Sequence, residues 1–263
     1  MKRIFPFVIA IALIAAAPVP VRAASRSDTK AGRELVKRYA DAIVSVELVV
    51  TLKVKMGERD LPPREHRVDV NGTVISAAGL TVTSLAEVDP ESSFEALRAS
   101  NPALSRLELL GADFKEVKLR LADGTELPAK FVLKDADLDL AFMAPDETAA
   151  KRVFTHVDLA QGASGGPLDE FFLVSRAPKA LQRVPTVRTT EIAGVVEKPR
   201  PFFLMTSESP GTPVFDAKGR VLGITVQHFA NGQRTGFVVL PAADVADSAK
   251  QALAAKGDEK KAP

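Results

Sequence analysis

Short β-prone runs separated by turn signals most limit the folds that are open to this chain. The runs are rich in valine, leucine, isoleucine and phenylalanine, and they recur along most of the 263 residues: 44–54, 73–75, 80–83, 117–121, 129–133, 138–143, 171–174, 192–196, 202–205, 221–226 and 236–240. Residues of these types favour strands. The dipeptides Asn71-Gly72 and Asp123-Gly124 are typical of hairpin turns. Short strands at this spacing predict an all-β barrel or sandwich.

Three segments depart from the strand pattern, and each is predicted to be helical. Residues 34–42 place their apolar side chains on one helix face, after a polar stretch at 25–33 that is expected to be loose. An inserted segment at 89–114 has helix-like spacing of its apolar residues, which are Phe94, Leu97, Leu104, Leu107 and Leu110. Residues 241–254 form an alanine-rich terminal helix, and a charged tail follows at 256–263.

The first 23 residues have the pattern of a secretory signal peptide. Lys2 and Arg3 give a positive start, residues 4–18 are apolar, and Val21 and Ala23 offer small side chains for cleavage after residue 23. The apolar run is shorter than the roughly 20 residues that a membrane-spanning helix needs. We therefore expect an exported protein, either periplasmic or fully secreted. An uncleaved anchor that holds the chain at a membrane is the alternative.

Charge and composition exclude several classes of function. The 35 basic and 33 acidic residues leave a formal net charge of +2, so no basic footprint for nucleic acid is expected. The chain has no cysteine, which excludes disulfides, cysteine catalysis and iron–sulfur ligation. His66, His156 and His228 lie far apart in the sequence and lack metal-ligand spacing. We therefore expect neither a metal nor a cofactor.

Four segments in order resemble the trypsin-like serine proteases, nearest the bacterial HtrA-type (Deg) branch. They are residues 72–83, 117–124, 135–141 and 215–224. The resemblance implies two six-stranded antiparallel β-barrels with a cleft between them. It divides the chain into a signal peptide at 1–23, an N-terminal segment with a short helix at 24–41, the double barrel at 42–245 with its inter-barrel connection at about 150–168, and a helix end and tail at 246–263.

The resemblance also assigns the three positions of a catalytic triad. Asp139, before Leu140-Ala141, matches the aspartate of the family. Ala86 stands at the histidine position, because the family pattern of apolar residues, Thr and two further residues ends here in alanine. Pro210 stands at the serine position in the segment Glu-Ser-Pro-Gly-Thr-Pro. Alanine cannot accept a proton, and proline has neither a hydroxyl nor an N–H group.

A second segment, Gly-Ala-Ser-Gly-Gly-Pro-Leu at 162–168, also matches the serine motif of the family. Its serine, Ser164, follows Asp139 by only 25 residues (164 minus 139), which leaves too little chain to build a second barrel between them. A flexible glycine-rich connection between the barrels is the simpler interpretation. A catalytic Ser164 served by His156 and Asp139 is the fallback.

These observations favour an exported, catalytically inactive relative of the serine proteases that binds a protein or peptide partner. Two alternatives stay open. One is an active serine hydrolase whose nucleophile is Ser164. The other is a structural subunit of an envelope assembly that makes its contact through the insertion at 89–114.

Overall fold

The computed structural model describes residues 26–146, 152–230 and 233–259 of the chain. The predicted signal peptide at 1–23 lies outside them. The first element is α1, Arg26–Tyr39, followed by a 3₁₀ turn at Ala40–Ala42. It starts earlier than the predicted helix at 34–42 and includes most of the stretch that was expected to be loose. One face of this helix is buried, and its residues follow at spacings of three and four: Gly32, Leu35 and Tyr39. The buried face thus begins before residue 34, inside the stretch that was expected to be loose.

Seven antiparallel strands form the first ring of the fold. They are β1 (Ile43–Met56), β2 (Arg59–Asp60), β3 (Arg64–Val74), β4 (Thr81–Ser84), β5 (Leu107–Arg120), β6 (Glu126–Asp135) and β7 (Leu140–Pro145). Their order is β2-β1-β3-β4-β7-β6-β5, and pairing between β1 and β5 closes the ring. Alternate residues of β1 point into its core: Val44, Val46, Leu48 and Val50.

Six further antiparallel strands form a closed barrel. They are β8 (Glu170–Arg176), β9 (Pro185–Val196), β10 (Phe202–Met205), β11 (Pro213–Phe215), β12 (Val221–Ala230) and β13 (Gln233–Pro241). Their order around the barrel is β10-β13-β12-β11-β8-β9. The prediction of two antiparallel β-barrels is therefore confirmed. A third group of buried residues lies between the two barrels and the terminal helices, and there Tyr39 stacks on Phe215 at 4.4 Å.

The predicted inserted segment at 89–114 is helical only in its first half. The short helix α2 (Leu85–Val88) leads to α3 (Pro90–Ser100) and a 3₁₀ turn at Pro102–Leu104. From Leu107 onward the chain belongs to β5. The prediction that Leu107 and Leu110 are helical was wrong because a β-bulge beside β1 interrupts the two-residue alternation of this strand.

Two other predicted features differ in the structure. Asn71-Gly72 was predicted to form a turn but lies inside β3. A Cβ on Gly72 would lie 2.8 Å from a methyl group of Val46, so the glycine permits close packing. The last helix, α4 (Ala242–Glu259), continues into the predicted charged tail. Asp123-Gly124 does form the predicted turn, and Gly124 has a φ of +83°.

Two polar side chains join the barrels at the side of β8. Arg176 is only 9% exposed, and its guanidinium donates to the carbonyls of Ile43 (2.5 Å), Ala40 (2.6 Å) and Arg183 (3.1 Å). The side chain of Asn71, on β3, bonds to both the N–H and the C=O of Arg176, at 3.2 Å each. The junction therefore supplies hydrogen-bond partners to backbone groups where the two barrels meet. Across the described ranges, no helix is long and apolar enough to cross a membrane.

We predict that Arg176→Met lowers the free energy of unfolding by about 3 kcal/mol, because three partly buried carbonyls lose their donors. Urea denaturation measures this loss. Arg67→Met is the matched control, since Arg67 is exposed on β3 and its loss is expected to change stability by less than about 0.5 kcal/mol. An equal, small effect of both substitutions would contradict a structural role for Arg176.

Candidate functional site

The three predicted triad positions lie where the two barrels meet. Ala86 is in α2, directly after β4, and Asp139 precedes β7, which pairs with β4. Pro210 is in the turn before β11 of the second barrel. Contacts with β12, described below, connect these elements. The structure therefore brings to one cleft the segments that the sequence pattern assigned to one site.

Asp139 is buried, at 4% exposure, and hydrogen bonds from both barrels end on its carboxylate. Its Oδ1 accepts from the Ala86 N–H at 2.8 Å. Its Oδ2 accepts from the Gln227 N–H of β12 at 2.7 Å and from the hydroxyl of Ser84. The Asp139 carbonyl accepts from the Leu85 N–H at 2.9 Å. A φ of +55° turns the chain to present these groups, and aspartate adopts this conformation more readily than most residues.

Burial dominates the electrostatics of the two acidic groups in the cleft. It raises the pKa of Asp139 to about 6, although the hydrogen bonds from Ser84, Ala86 and Gln227 oppose the shift and the negative charge of Glu87 adds to it. Burial also raises the pKa of Glu87, and the positive charge of Arg234 offsets part of that rise. The cleft thus holds a proton more tightly than two exposed carboxylates would.

Ala86 contributes a buried methyl group, at 2% exposure, and no titratable atom. Its carbonyl faces the second barrel, where the guanidinium of Arg234 on β13 donates to it at 3.4 Å. The same guanidinium donates to the carbonyl of Ser92 in α3 at 3.1 Å. Arg234 therefore links the second barrel to both short helices of the first, beside the position assigned to the histidine.

Pro210 and Gly211 occupy the two central positions of a tight turn. Its ends are joined by bonds from the N–H (3.3 Å) and hydroxyl (2.6 Å) of Thr212 to the Ser209 carbonyl. Gly211 has a φ of +73°. Proline followed by a residue with positive φ is typical of a type II turn. The turn therefore suits Pro210 sterically, while leaving this position without a hydroxyl or an N–H.

The same turn packs directly on the strands of the first barrel. The Thr73 hydroxyl of β3 donates to the Gly211 carbonyl at 2.7 Å. The Gly211 N–H donates to the carbonyl of Thr225 on β12, in the second barrel, at 2.8 Å. A Cβ on Gly211 would lie 2.2 Å from the Asn71 carbonyl oxygen and 2.4 Å from the Thr83 hydroxyl. No side chain fits at this position, so the turn is held against the end of β4.

Ser164, the fallback nucleophile, lies in the connection before β8 and is exposed. Its neighbour Ala163 donates to the Val221 carbonyl at 2.7 Å. Val221 is six residues along β12 from Gln227, which contacts Asp139, so about 20 Å of strand separates the two places. His156 bonds through Nδ1 to the Phe154 carbonyl at 3.1 Å, also away from Asp139. The structure does not bring these three side chains together.

A cavity of about 320 Å³ opens beside Asp139. Apolar side chains line much of it: Leu138, Phe202, Val226, Phe229, Val238 and Leu240. His228 lies at its wall, with its ring 4.7 Å from that of Phe202 and its Nδ1 2.6 Å from the Thr235 hydroxyl. Within the residues that the structure describes, no cluster of three or more histidine or acidic side chains is placed to hold a metal ion.

The β12 strand has a free edge next to this cavity. On the edge of β12 that faces away from β13, pairing with β11 reaches only as far as Ile224. The next bond on this edge runs from the Thr225 N–H to the Thr212 carbonyl. No described strand pairs with this edge from Gln227 to Ala230. Alternate residues of a strand turn their N–H and C=O groups to the same edge. Thr225 and Gln227 point their N–H groups to this edge, and by the same alternation Phe229 follows them, beside a register shift between β12 and β13.

Sequence reasoning missed Ser84, Gln227 and Arg234 as parts of the site. Gln227 lies 88 residues from Asp139 and acts through its backbone N–H, which has no sequence signature. Arg234 lies 148 residues from Ala86. Ser84 is brought to Asp139 by the pairing of β4 with β7, whereas only the docking of the two barrels makes Gln227 and Arg234 part of the site.

Comparison with known proteins gives one family match. A family model described as a trypsin-like peptidase domain matches residues 70–224, which include all three triad positions and Ser164. No curated protein matches the chain. Among solved structures, the MamO protease domain from Magnetospirillum magneticum (apo form) is 17% identical, and the match covers 80% of this chain and 97% of that chain with a TM-score of 0.49.

We predict that Asp139 makes the protein less stable as the pH rises from 4 to 7. Its pKa in the folded state, about 6, lies above the ordinary value of 3.8, so the folded state holds the proton more tightly. The stabilisation is complete below about pH 4 and is lost as the pH passes 6, a change of about 3 kcal/mol. Urea denaturation across this range, compared with Asp139→Asn, isolates the contribution of Asp139.

Asp137→Asn is the control for this measurement, because it removes an exposed carboxyl from the same loop. If the difference between wild type and Asp139→Asn instead grows with pH, the hydrogen bonds to the carboxylate outweigh its burial. That outcome would contradict the raised pKa.

Proposed function

Because this chain belongs to the trypsin-like peptidase domain family, we propose that it is a catalytically inactive, HtrA-related member that acts as a protein- or peptide-binding module. The observation that carries the proposal is the turn at Pro210. It lies at the meeting of the barrels, packed against the end of β4, where the family pattern places the nucleophile. Ala86 stands at the position of the base.

The chemistry of the family requires a serine hydroxyl, a histidine that takes its proton, and N–H groups that stabilise the oxyanion. Pro210 supplies neither a hydroxyl nor an N–H, so one substitution removes two functions. Loss of one oxyanion donor alone typically slows such enzymes ~10²–10³-fold. Ala86 supplies no base, and Asp139 satisfies the backbone donors of Ala86 and Gln227. The remaining carboxylate therefore serves the fold.

The cleft keeps features that suit a peptide ligand. The free edge of β12 at Phe229 is open to an extended chain, which is how a peptide adds to a sheet. The 320 Å³ cavity next to this edge has mainly apolar walls and a few polar groups, including His228. Such a cavity accepts an apolar side chain of the bound segment. Main-chain bonds would provide the affinity, and the cavity would provide the selectivity.

We also propose that the module works outside the cytoplasm, either in the periplasm or after secretion. The support is the pattern of residues 1–23, with a positive start, an apolar run and small residues near position 23. An exported protein does not need disulfides when its core is large, and this chain has no cysteine.

We predict that a fluorophosphonate probe leaves the purified protein unlabelled, because the proposed site has no activated hydroxyl. Intact-mass spectrometry detects any adduct, and peptide mapping locates it. Active trypsin in the same reaction is the positive control. Stoichiometric labelling at Ser164 that disappears in Ser164→Ala would overturn the proposal and identify a working hydrolase.

We predict that extended decapeptides selected from a random display library bind the cleft beside β12. Phe229→Glu is expected to weaken the selected peptides at least ~10-fold, because it places a charge at the cavity and free edge. Fluorescence anisotropy measures the affinities. Leu204→Glu is the matched control, since Leu204 is an exposed apolar residue on β10 (41%, against 37% for Phe229) that does not line the cavity. Equal affinity of both variants would place the binding surface elsewhere.

A further inference from the structure

The outer face of α1 carries a stripe of basic residues. Lys30, Arg33 and Lys37 follow one another at helical spacing and are all exposed. The opposite face packs on the second barrel: Gly32 lies beside Phe172, and the Tyr39 hydroxyl donates to the Gly219 carbonyl at 3.0 Å. The fold of the barrel therefore fixes the direction in which the stripe points, which is away from the protein.

No acidic side chain among the described residues forms an ion pair with this basic stripe. Other exposed lysines of the protein do have such partners: Lys53 pairs with Asp113 at 2.8 Å, and Lys250 pairs with Asp247 on α4 at 2.7 Å. The exposed Glu34 lies beside this stripe, four residues after Lys30 and three before Lys37, so the face carries three positive charges and one negative charge. The excess of positive charge makes the surface complementary to an anionic one.

The position of α1 in the chain indicates which anionic surface it meets. The apolar run at residues 4–18 ends eight positions before α1 begins at Arg26. Seven intervening residues span at most about 25 Å. When the apolar run is kept as the uncleaved anchor, the alternative to cleavage after residue 23, α1 is held close to the lipid headgroups. A nucleic acid or an acidic protein has no comparable link to this helix.

We infer that α1 docks through Lys30, Arg33 and Lys37 onto a membrane surface that contains anionic lipids. The helix is 14 residues long, or about 21 Å, so it can lie flat and bring all three charges to the headgroups together. For three basic residues, this attraction favours docking on anionic over neutral lipids on the order of 100-fold, and salt weakens it by screening the charges. The inference does not rest on the proposed binding cleft.

The experiment uses the full chain and a single label. The protein has no cysteine, so Thr29→Cys, at an exposed and uncharged position of α1, gives one site for an environment-sensitive dye and leaves the charges of the stripe unchanged. The labelled protein is reconstituted in vesicles of phosphatidylcholine, with or without phosphatidylglycerol, that carry a headgroup quencher. The apolar run is present in both cases, so a difference in quenching between the two lipids reports the docking of α1.

We predict strong quenching only on vesicles with phosphatidylglycerol, and its loss at high salt. The triple variant Lys30→Gln, Arg33→Gln and Lys37→Gln is expected to lower the ratio of docked to free helix on the order of 100-fold. Glutamine keeps the helix propensity, so α1 itself persists. The matched control replaces Arg59, Arg64 and Arg67, three exposed residues near the β2–β3 hairpin, by glutamine and is expected to dock like wild type.

Two outcomes would overturn the inference. One is equal quenching on both lipids, which would mean that α1 does not sense lipid charge. The other is equal loss in the stripe variant and the control variant, which would mean that only the net charge of the protein matters.

Discussion

The whole cleft depends on the hydrogen bonds that Asp139 accepts from both barrels. One carboxylate satisfies the N–H of Ala86 in the first barrel and the N–H of Gln227 in the second. A buried N–H without an acceptor costs about 1–3 kcal/mol, so this residue has a structural role that does not need a histidine. Burial makes the ionised form of Asp139 less favourable, which raises its pKa.

The turn at Pro210, like Asp139, has a role in packing that needs no reactive group. Gly211 must stay glycine, because the Asn71 carbonyl occupies the space that a Cβ would take and its φ is +73°. A proline before such a glycine favours the turn, since it fixes φ near the value that this position needs. The turn thus keeps its packing against the first barrel with a residue that has no reactive group. Nothing in the fold requires a serine here.

The sequence predicted the barrels well because strands and turns leave local signals. Asp123-Gly124 forms its turn, as the dipeptide indicated. The errors arose where tertiary contacts override such signals. Asn71-Gly72 looks like a turn but lies in β3, where the asparagine bonds across to Arg176. In β5, the bulge at Leu110 gives the strand an apolar spacing that resembles a helix. Family resemblance assigned Ala86, Asp139 and Pro210 to a triad, which stays a prediction, and it gave no sign of Arg234, which enters the cleft only through the docking of the barrels.

The two barrels are joined on two sides. Arg176 and Asn71 fill the junction beside β8, while Asp139 and the Gly211 turn fill it beside β4. Arg234 then spans the cleft next to Ala86. The Arg234 guanidinium bonds to the carbonyls of Ala86 and Ser92, so the side of the cleft near α2 is bridged. Phe229 of β12 pairs with Arg234 of β13, and the Arg234 guanidinium lies 6.0 Å from the centre of the Phe229 ring, so the edge that we propose for a peptide borders this bridge.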